Sequence, residues 1–277
     1  MKIAAIQMRS GGDPQANLAA LEPLLAEAAA AGADYVLTPE VTMVFAENRA
    51  ALAAVAAPFE AHPQLQRVAE LAGEYGMHIH IGSLAVPLAD GRFANRSVLF
   101  GPDGKQLAHY DKIHLFDATI AGLNAYRESD TYQGGETAMV VPLGAVTLGM
   151  AICYDMRFPK LFNALANAGA GLMAVPAAFT VPTGQAHWHV LLRARAIETG
   201  SYVIAAAQGG QHENGRATYG HSIIVDPWGR VVAELAHDSP GVICADLDPA
   251  LVADARARIP ALANEKPFAA PAASFVS

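Results

Sequence analysis

The chain has 277 residues, of which 53% are hydrophobic and 16% charged, so it can bury a large core and is not a disordered protein. Its formal net charge of −8 argues against a surface that binds nucleic acid or an anionic membrane. The two cysteines are too few for a disulfide framework, which favours a reducing cytoplasm, and no apolar run is long enough to span a bilayer.

The first half of the chain alternates predicted strands and helices. Asp13 followed by Pro14 is an N-cap with proline at the first helical position, and Gly32 ends that helix. A turn-rich stretch at Gly101–Gly104 indicates a hairpin. The predicted elements are strands 2–8, 35–38, 77–85, 93–100 and 106–110, with helices 14–31 and 63–75.

The second half continues the alternation after a region without a clean period, 111–135, which we expect to be a long functional loop and a candidate lid. No linker divides the chain, so we expect one α/β domain over 1–277, with about 260–277 as a C-terminal tail. The predicted elements are strands 138–141, 146–152, 171–175, 202–206, 219–225, 230–235 and 242–246, with helices 160–168, 185–199 and 249–258.

A thiol lies at a strand-to-helix turn. The apolar run 146–152 ends at Cys153, and a predicted helix follows from Pro159. Ligands of α/β proteins bind at the carboxyl ends of strands, and the amides of the following turn favour a thiolate. This stretch alone is equally compatible with a small buried hydrophobic residue, because free cysteine is often buried.

Two other polar residues follow predicted strands. Glu40 ends the second strand, and Lys112 follows the hairpin. Either residue taken alone is typical of a solvated loop. Taken together with the thiol, the blocks Pro39-Glu40, Asp111–Phe116 and Cys153–Pro159 resemble, in order, the three signature blocks of the nitrilase, or carbon–nitrogen hydrolase, superfamily.

The resemblance implies a four-layer α-β-β-α sandwich and a Glu–Lys–Cys triad that works through a thioester acyl-enzyme. Glu40 would be the general base, Lys112 the charge stabiliser and Cys153 the nucleophile. The backbone N–H of Tyr154 would hold the oxyanion together with Lys112. A second glutamate of the family corresponds to Glu128, which would orient Lys112 or share its charge. We expect this cluster to be partly buried.

Three later blocks, 186–199, 202–208 and 219–229, resemble the deaminated-glutathione amidase branch. That resemblance implies hydrolysis of deaminated glutathione to 2-oxoglutarate and cysteinylglycine. Arg157 would bind a substrate carboxylate, unless it pairs with Asp155, and Phe179 and Thr183 would line the pocket. The alternatives are an ω-amidase acting on 2-oxoglutaramate, an N-carbamoyl amino acid hydrolase, and a catalytically silent binding or scaffold protein.

The expected partners are a small amide substrate and further copies of the chain, because members of the superfamily form homodimers or larger assemblies. No cofactor is implied, and we expect no bound metal, since the histidine pairs 78/80 and 187/189 lack metal-site spacing. Nucleic-acid and membrane partners are not expected. Cys244 lies inside a predicted strand and is expected to be an inert core residue.

Overall fold

The computed structural model describes residues 1–120 and 126–269, in which two stacked β-sheets are each covered on the outer face by helices. The predicted four-layer α-β-β-α sandwich is therefore confirmed. The first sheet has the order β17 (Gly241–Asp246), β1 (Lys2–Gln7), β2 (Tyr35–Leu37), β3 (His78–Pro87), β4 (Phe93–Phe100), β5 (Gln106–Asp111), with β8 (Tyr132–Gln133) also pairing with β4.

The second sheet has its parallel strands in the middle and antiparallel strands at both edges. Its order is β16 (Val231–Glu234), β15 (Ile223–Val225), β12 (Tyr202–Ala205), β11 (Ala170–Ala174), β10 (Thr147–Met150), β9 (Met139–Pro142). Two short ribbons pair β13 (Gly209–Gln211) with β14 (Ala217–Tyr219) and β6 (Asp117–Ala118) with β7 (Tyr126–Arg127).

The described residues contain six α-helices, most of which begin where the sequence predicts. Asp13 caps the first by accepting hydrogen bonds from the N–H groups of Gln15 and Ala16, and Gly76 ends the third in the left-handed conformation. The helices are α1 (Pro14–Ala30), α2 (Arg49–Val55), α3 (Pro63–Tyr75), α4 (Pro159–Asn167), α5 (Val181–Thr199) and α6 (Pro249–Arg258).

Strand β1 shows how the layers form. Successive strand side chains point to opposite faces, and β1 is apolar on both. Ile3 and Ala5 belong to the core cluster shared with the second sheet, whereas Ala4 and Ile6 pack in the cluster with α1 and α3. Burial on both faces explains why β1 reads as a continuous apolar run rather than an alternating one.

The structure differs from the sequence prediction in two helices. Helix α2 was not predicted, because Arg49–Val55 has only one buried side chain, Leu52, and no apolar period. Helix α5 begins at Val181 rather than at 185, which places Thr183 in its first turn and not in a loop. The 111–135 region is largely irregular with short strands, and its residues 121–125 lie outside the described residues.

Within residues 1–120 and 126–269, no helix is both long enough and apolar enough to cross a membrane. The single-domain organisation over 1–277 stays a prediction. Part of the predicted tail, 270–277, lies outside the described residues.

Candidate active site

The three predicted catalytic side chains lie at one edge of the sandwich. Glu40 follows β2, Lys112 follows β5 and Cys153 follows β10. Strands β2 and β5 run in the same direction, because β2 is parallel to β3 and β5 is antiparallel to β4, itself antiparallel to β3. Their carboxyl ends therefore lie at the same edge of the first sheet. A parallel bridge between Met8, which follows β1, and Gln208, which follows β12, joins the two sheets.

Lys112 lies between two carboxylates. Its Nζ donates to Glu40 Oε1 at 2.8 Å and to Glu128 Oε1 and Oε2 at 3.0 and 2.9 Å. The side chains of Lys112 and Glu40 are only 2% and 6% exposed. Two carboxylates and one ammonium leave a net charge of −1 in a buried site, which is tolerable only because further donors compensate the desolvation.

Those further donors come mainly from residues that the sequence analysis missed. Asn95 Nδ2 donates to Glu40 Oε1 at 2.9 Å and to Glu128 Oε1 at 3.1 Å. The Ala178 N–H donates to Glu40 Oε2 at 2.9 Å, and the Phe116 N–H donates to Glu128 Oε2 at 2.6 Å. The sequence signal for Asn95 was weak, because strand β4 also carries the polar residues Arg96 and Ser97. Once buried, the Asn95 amide requires hydrogen-bond partners.

The ionisation of the two triad partners follows from this contact. Burial alone would raise the pKa of Glu40, but the Lys112 charge and the hydrogen bonds from Lys112, Cys153 and Ala178 bring that pKa below its ordinary value. Burial alone would lower the pKa of Lys112, but the Glu128 and Glu40 carboxylates raise it well above its ordinary value. Both groups are therefore charged at neutral pH.

The Glu40 carboxylate lies close enough to the Cys153 thiol to affect its pKa. Burial raises the pKa of this thiol well above its ordinary value, and the negative charge of Glu40 raises it further against the opposing effect of Lys112. The expectation that turn amides favour a resting thiolate is therefore wrong for this environment. Cys153 is therefore a neutral thiol close to the Glu40 carboxylate.

Two residues in the catalytic turns have left-handed backbone conformations. Cys153 has φ of 47° and Val41, directly after Glu40, has φ of 53°. Such conformations cost about 1–3 kcal/mol each in residues other than glycine and cluster at functional sites. Hydrogen bonds to residues distant in the sequence hold both conformations. The Cys153 N–H donates to Pro176 O at 2.8 Å, and the Val41 N–H donates to Ser83 Oγ at 2.9 Å.

Asp155 joins the nucleophile turn to the segment that carries Lys112. Its Oδ2 accepts from the Ile152 N–H at 2.9 Å and from Tyr110 Oη at 2.8 Å. Its Oδ1 contacts the backbone N–H of His114 at 3.0 Å and His114 Nδ1 at 2.7 Å. Asp155 therefore does not pair with Arg157, which was the structural alternative for that arginine.

The triad lies in a cavity of about 540 Å³. Phe179, Thr183 and Tyr154 line it. The Tyr154 N–H has no acceptor within hydrogen-bond distance among residues 1–120 and 126–269. Arg157 is not among the lining residues; its guanidinium lies 5.4 Å from the Phe179 ring centroid and contacts His187 Nδ1 at 3.2 Å. The cations of the lining are Arg49, Lys112, Arg127 and Arg216.

In the described part of the chain, no group of three or more His, Cys, Asp or Glu side chains is arranged to hold a metal ion. The histidine pairs that the sequence analysis considered have other contacts. His80 bridges Tyr35 Oη and Ser97 Oγ inside the first sheet, and His189 pairs with Glu234.

Comparisons with known proteins agree with this geometry. The family model described as carbon-nitrogen hydrolase matches residues 2–257. A deaminated glutathione amidase from Yersinia enterocolitica is 43% identical over 235 residues, which cover 84% of this chain and 82% of that protein. Saccharomyces cerevisiae Nit3, a member of branch 10 of the nitrilase superfamily, superposes with a TM-score of 0.82 at 30% identity, covering 94% of each chain.

A third solved structure is similar over most of the chain. An amidase from Nesterenkonia sp. AN1, solved as a Glu-to-Gln mutant with the acetamide moiety of fluoroacetamide added at its active-site cysteine, has a TM-score of 0.79 and 29% identity. That match covers 94% of this chain and 95% of the amidase. With the family model matching almost the whole described chain, this protein belongs to the carbon–nitrogen hydrolase family of the nitrilase superfamily, whose members hydrolyse carbon–nitrogen bonds.

Proposed function

We propose that this protein is a thiol amidase that hydrolyses deaminated glutathione to 2-oxoglutarate and cysteinylglycine. The observation that carries the chemistry is that Cys153, Glu40 and Lys112 line one cavity of about 540 Å³, in which Lys112 Nζ donates to Glu40 Oε1 at 2.8 Å. The substrate assignment is supported by the similarity to the Yersinia amidase.

In the first half-reaction, the Cys153 Sγ attacks the amide carbonyl carbon while its proton passes to Glu40. A high thiol pKa makes a free thiolate scarce at neutral pH, so proton transfer must accompany the attack. Glu40 then gives the proton to the leaving amine as the carbon–nitrogen bond breaks. The products of this stage are the free amine and a thioester on Cys153.

The oxyanion of the tetrahedral intermediate needs a donor that is not already occupied. Lys112 already donates to three carboxylate oxygens, two of them on Glu128, so it acts on the oxyanion through its charge or by exchanging one bond. The Tyr154 N–H has no competing acceptor among the described residues. We therefore assign the direct hydrogen bond to Tyr154 and the electrostatic stabilisation to Lys112.

In the second half-reaction, Glu40 takes a proton from water, which attacks the thioester carbon. The intermediate collapses to the carboxylic acid, and the thiolate leaving group is protonated by Glu40. Glu128 holds Lys112 in place through its two bonds throughout the cycle. Both half-reactions therefore use the same base and the same oxyanion site.

The cavity wall contributes to substrate binding. Phe179 and Thr183 lie in the lining and are assigned direct substrate contacts. Arg157 supports the wall from behind, because its guanidinium lies over the rings of Tyr154 and Phe179. Direct binding of a substrate carboxylate by Arg157 would require its side chain to move into the cavity.

The test is product formation from deaminated glutathione and 2-oxoglutaramate side by side, with Cys153→Ala as the inactive control. We expect faster hydrolysis of deaminated glutathione, no hydrolysis by the control, and a loss of about 10²–10⁴-fold in kcat for Glu40→Gln. A preference for 2-oxoglutaramate would keep the mechanism but make the protein an ω-amidase. Turnover of neither, with a reactive thiol, would direct the search to N-carbamoyl amino acids and other amides.

We also propose that the enzyme works in the cytoplasm as a homodimer or larger homo-oligomer. Free cysteines at 153 and 244 support a reducing compartment. The apolar side chains of Val190 and Ile197 on α5 are 67% and 53% exposed, which supports a self-association surface. Sedimentation velocity of the purified protein tests the assembly, and a purely monomeric profile at micromolar concentration would contradict it.

A further inference from the structure

Three arginines line the cavity, and one of them, Arg49, donates side-chain hydrogen bonds within the described chain. Arg49 Nη2 donates to Gly91 O at 2.6 Å, and Arg127 lies opposite Asp117 in the β6–β7 pair. Arg216 has no carboxylate within 4.0 Å among residues 1–120 and 126–269, and the two segments outside that range contain no Asp or Glu side chain. Arg216 is thus a cavity cation with no anionic partner in the described chain.

The side chain of Arg216 rests on aromatic rings. Its guanidinium lies 5.4 Å from the ring centroid of Phe45 and 5.9 Å from that of Tyr126. Stacking on aromatic faces leaves the in-plane N–H donors of a guanidinium free for a planar anion. The arrangement therefore orients Arg216 without satisfying its hydrogen-bond donors.

The backbone that carries Arg216 is firmly anchored in the β13–β14 hairpin. The His212 N–H donates to Arg216 O at 2.8 Å, and the Arg216 N–H donates to Asn214 Oδ1 at 3.0 Å. The hairpin is fixed to the rest of the site because His212 Nδ1 contacts Ser10 O at 2.9 Å and Asn214 Nδ2 donates to Phe45 O at 2.9 Å. Arg216 is therefore presented on a preorganised turn.

Electrostatics link Arg216 to the catalytic cluster. Burial raises the pKa of Tyr132, the Glu128 and Glu40 charges raise it further, and Lys112 and Arg216 oppose that rise. Arg216 is therefore close enough to Tyr132, which lines the same cavity, for its charge to lower the pKa of that phenol. The cluster itself carries a net charge of −1 and repels anions, so an anionic substrate needs a cation elsewhere in the cavity lining.

We infer that Arg216 is a specificity-determining residue that binds a carboxylate of the substrate and makes the enzyme prefer anionic amides to neutral ones. This inference rests on the proposed amidase function. Deaminated glutathione carries a carboxylate on each side of the scissile amide, one in the acyl half and one in the amine half. Arg216 could bind either carboxylate by the same chemistry. Two pairs of substrates show which of the two carboxylates it binds.

The test compares wild-type protein with Arg216→Met, which removes the charge but retains an unbranched apolar stem. The substrate pair is succinamate and butyramide, which differ in carrying a carboxylate or a methyl group on the acyl half. A second pair is deaminated glutathione and its C-terminal amide, which lacks the carboxylate of the amine half. A charge-assisted hydrogen bond of about 1.5–3 kcal/mol corresponds to about a 10–100-fold change in affinity.

We expect Arg216→Met to raise KM by that factor for the substrates that carry the recognised carboxylate, with little change in kcat. The member of the affected pair that lacks the recognised carboxylate should be hydrolysed as by the wild type, and the pair that responds identifies the half of the substrate. Arg216→Lys should retain part of the preference, because an ammonium supplies charge without the bidentate geometry. Arg92→Met, a surface arginine that pairs with Asp90, is the matched control.

Equal losses on the two members of each pair would overturn the inference and make Arg216 a structural residue. A shift in preference in Arg127→Met but not in Arg216→Met would also overturn it. If the wild type hydrolyses none of these amides, the proposed function fails, and the inference is then judged by thermal stabilisation with glutarate. Stabilisation of wild type but not of Arg216→Met would support it, and none in either protein would refute it.

Discussion

Two cations in this molecule are each surrounded by carboxylates, and one of them, Lys112, belongs to the proposed catalytic triad. Arg67, on α3, contacts Glu22, Glu70 and Glu74 at 2.8–3.1 Å, with its side chain 33% exposed and its partners more exposed still. Lys112 contacts Glu40 and Glu128 at similar distances but is 2% exposed.

This difference shows that burial determines the effect of such a cluster of charged side chains. Around Arg67, water and salt screen every charge, so the cluster adds solubility and little else. Around Lys112, the same type of contact is desolvated, so it keeps Glu40 ionised, and the proposed mechanism uses the resulting electrostatic field at the reacting carbonyl. Variants at the two clusters and at the residues that position them test this contrast.

Lys112→Met should have the largest effect. It leaves Glu40 and Glu128 buried without a cation, and breaking such a cluster costs about 3–5 kcal/mol of unfolding free energy. Loss of the oxyanion-stabilising charge should also lower kcat by about 10²–10³-fold or more. Urea unfolding and steady-state kinetics measure both effects.

The double variant Lys112→Met with Glu128→Gln is the control for the origin of that loss. Removing one carboxylate reduces the uncompensated charge, so part of the stability should return while activity does not. A single variant as stable as the wild type would contradict the assignment of Lys112 as the buried counterion.

Asp155→Asn should have the next largest effect, because the carboxylate is fully buried and accepts at both oxygens. An amide cannot accept at both positions, so at least one buried donor loses its partner, at a cost of about 1–3 kcal/mol. The Cys153 turn and the Lys112 segment should then be misaligned, lowering kcat more than KM. The exposed turn variant Asp103→Asn is the control, and an unchanged kcat would show that Asp155 positions neither segment.

Acid should weaken the buried cluster selectively. The pKa of Glu40 is lowered from its ordinary value of 4.5, so its ionised form contributes stability that is complete above pH 4.5 and lost as the pH falls through the folded-state pKa. Unfolding free energies between about pH 3 and pH 7 should therefore fall less steeply for Glu40→Gln than for wild type. Glu22→Gln, at the surface cluster, should follow the wild-type profile; equal slopes for all three proteins would exclude Glu40 as the coupled group.

Arg67→Met should have the smallest effect. Because its three carboxylate partners remain solvated after the change, we expect unchanged kcat and KM and only a small shift in the urea midpoint. The shift should also disappear at high salt. A loss comparable to that of Lys112→Met would show that burial is not what separates the two clusters.

Sequence rules worked well where interactions are local. The Asp13 cap, the left-handed Gly76 and the β4–β5 hairpin all form where predicted, because each depends on a few neighbouring residues. Two of the three carboxylates around Arg67 are also close to it in the sequence, since Glu70 and Glu74 lie on the same helix. Helix α2 was missed because most of it is exposed and carries no apolar period.

The sequence by itself determined the layered α/β architecture, the family and the three blocks that carry Glu40, Lys112 and Cys153. Only the tertiary structure decided that Asn95 bridges the two carboxylates, that burial keeps Cys153 a neutral thiol, and that Arg216 rather than Arg157 lines the cavity. The physical reason is the separation along the chain over which each interaction acts. Caps, turns and periodicity act over a few residues, whereas desolvation and charge coupling depend on groups that are far apart in the chain and meet only when both sheets have packed.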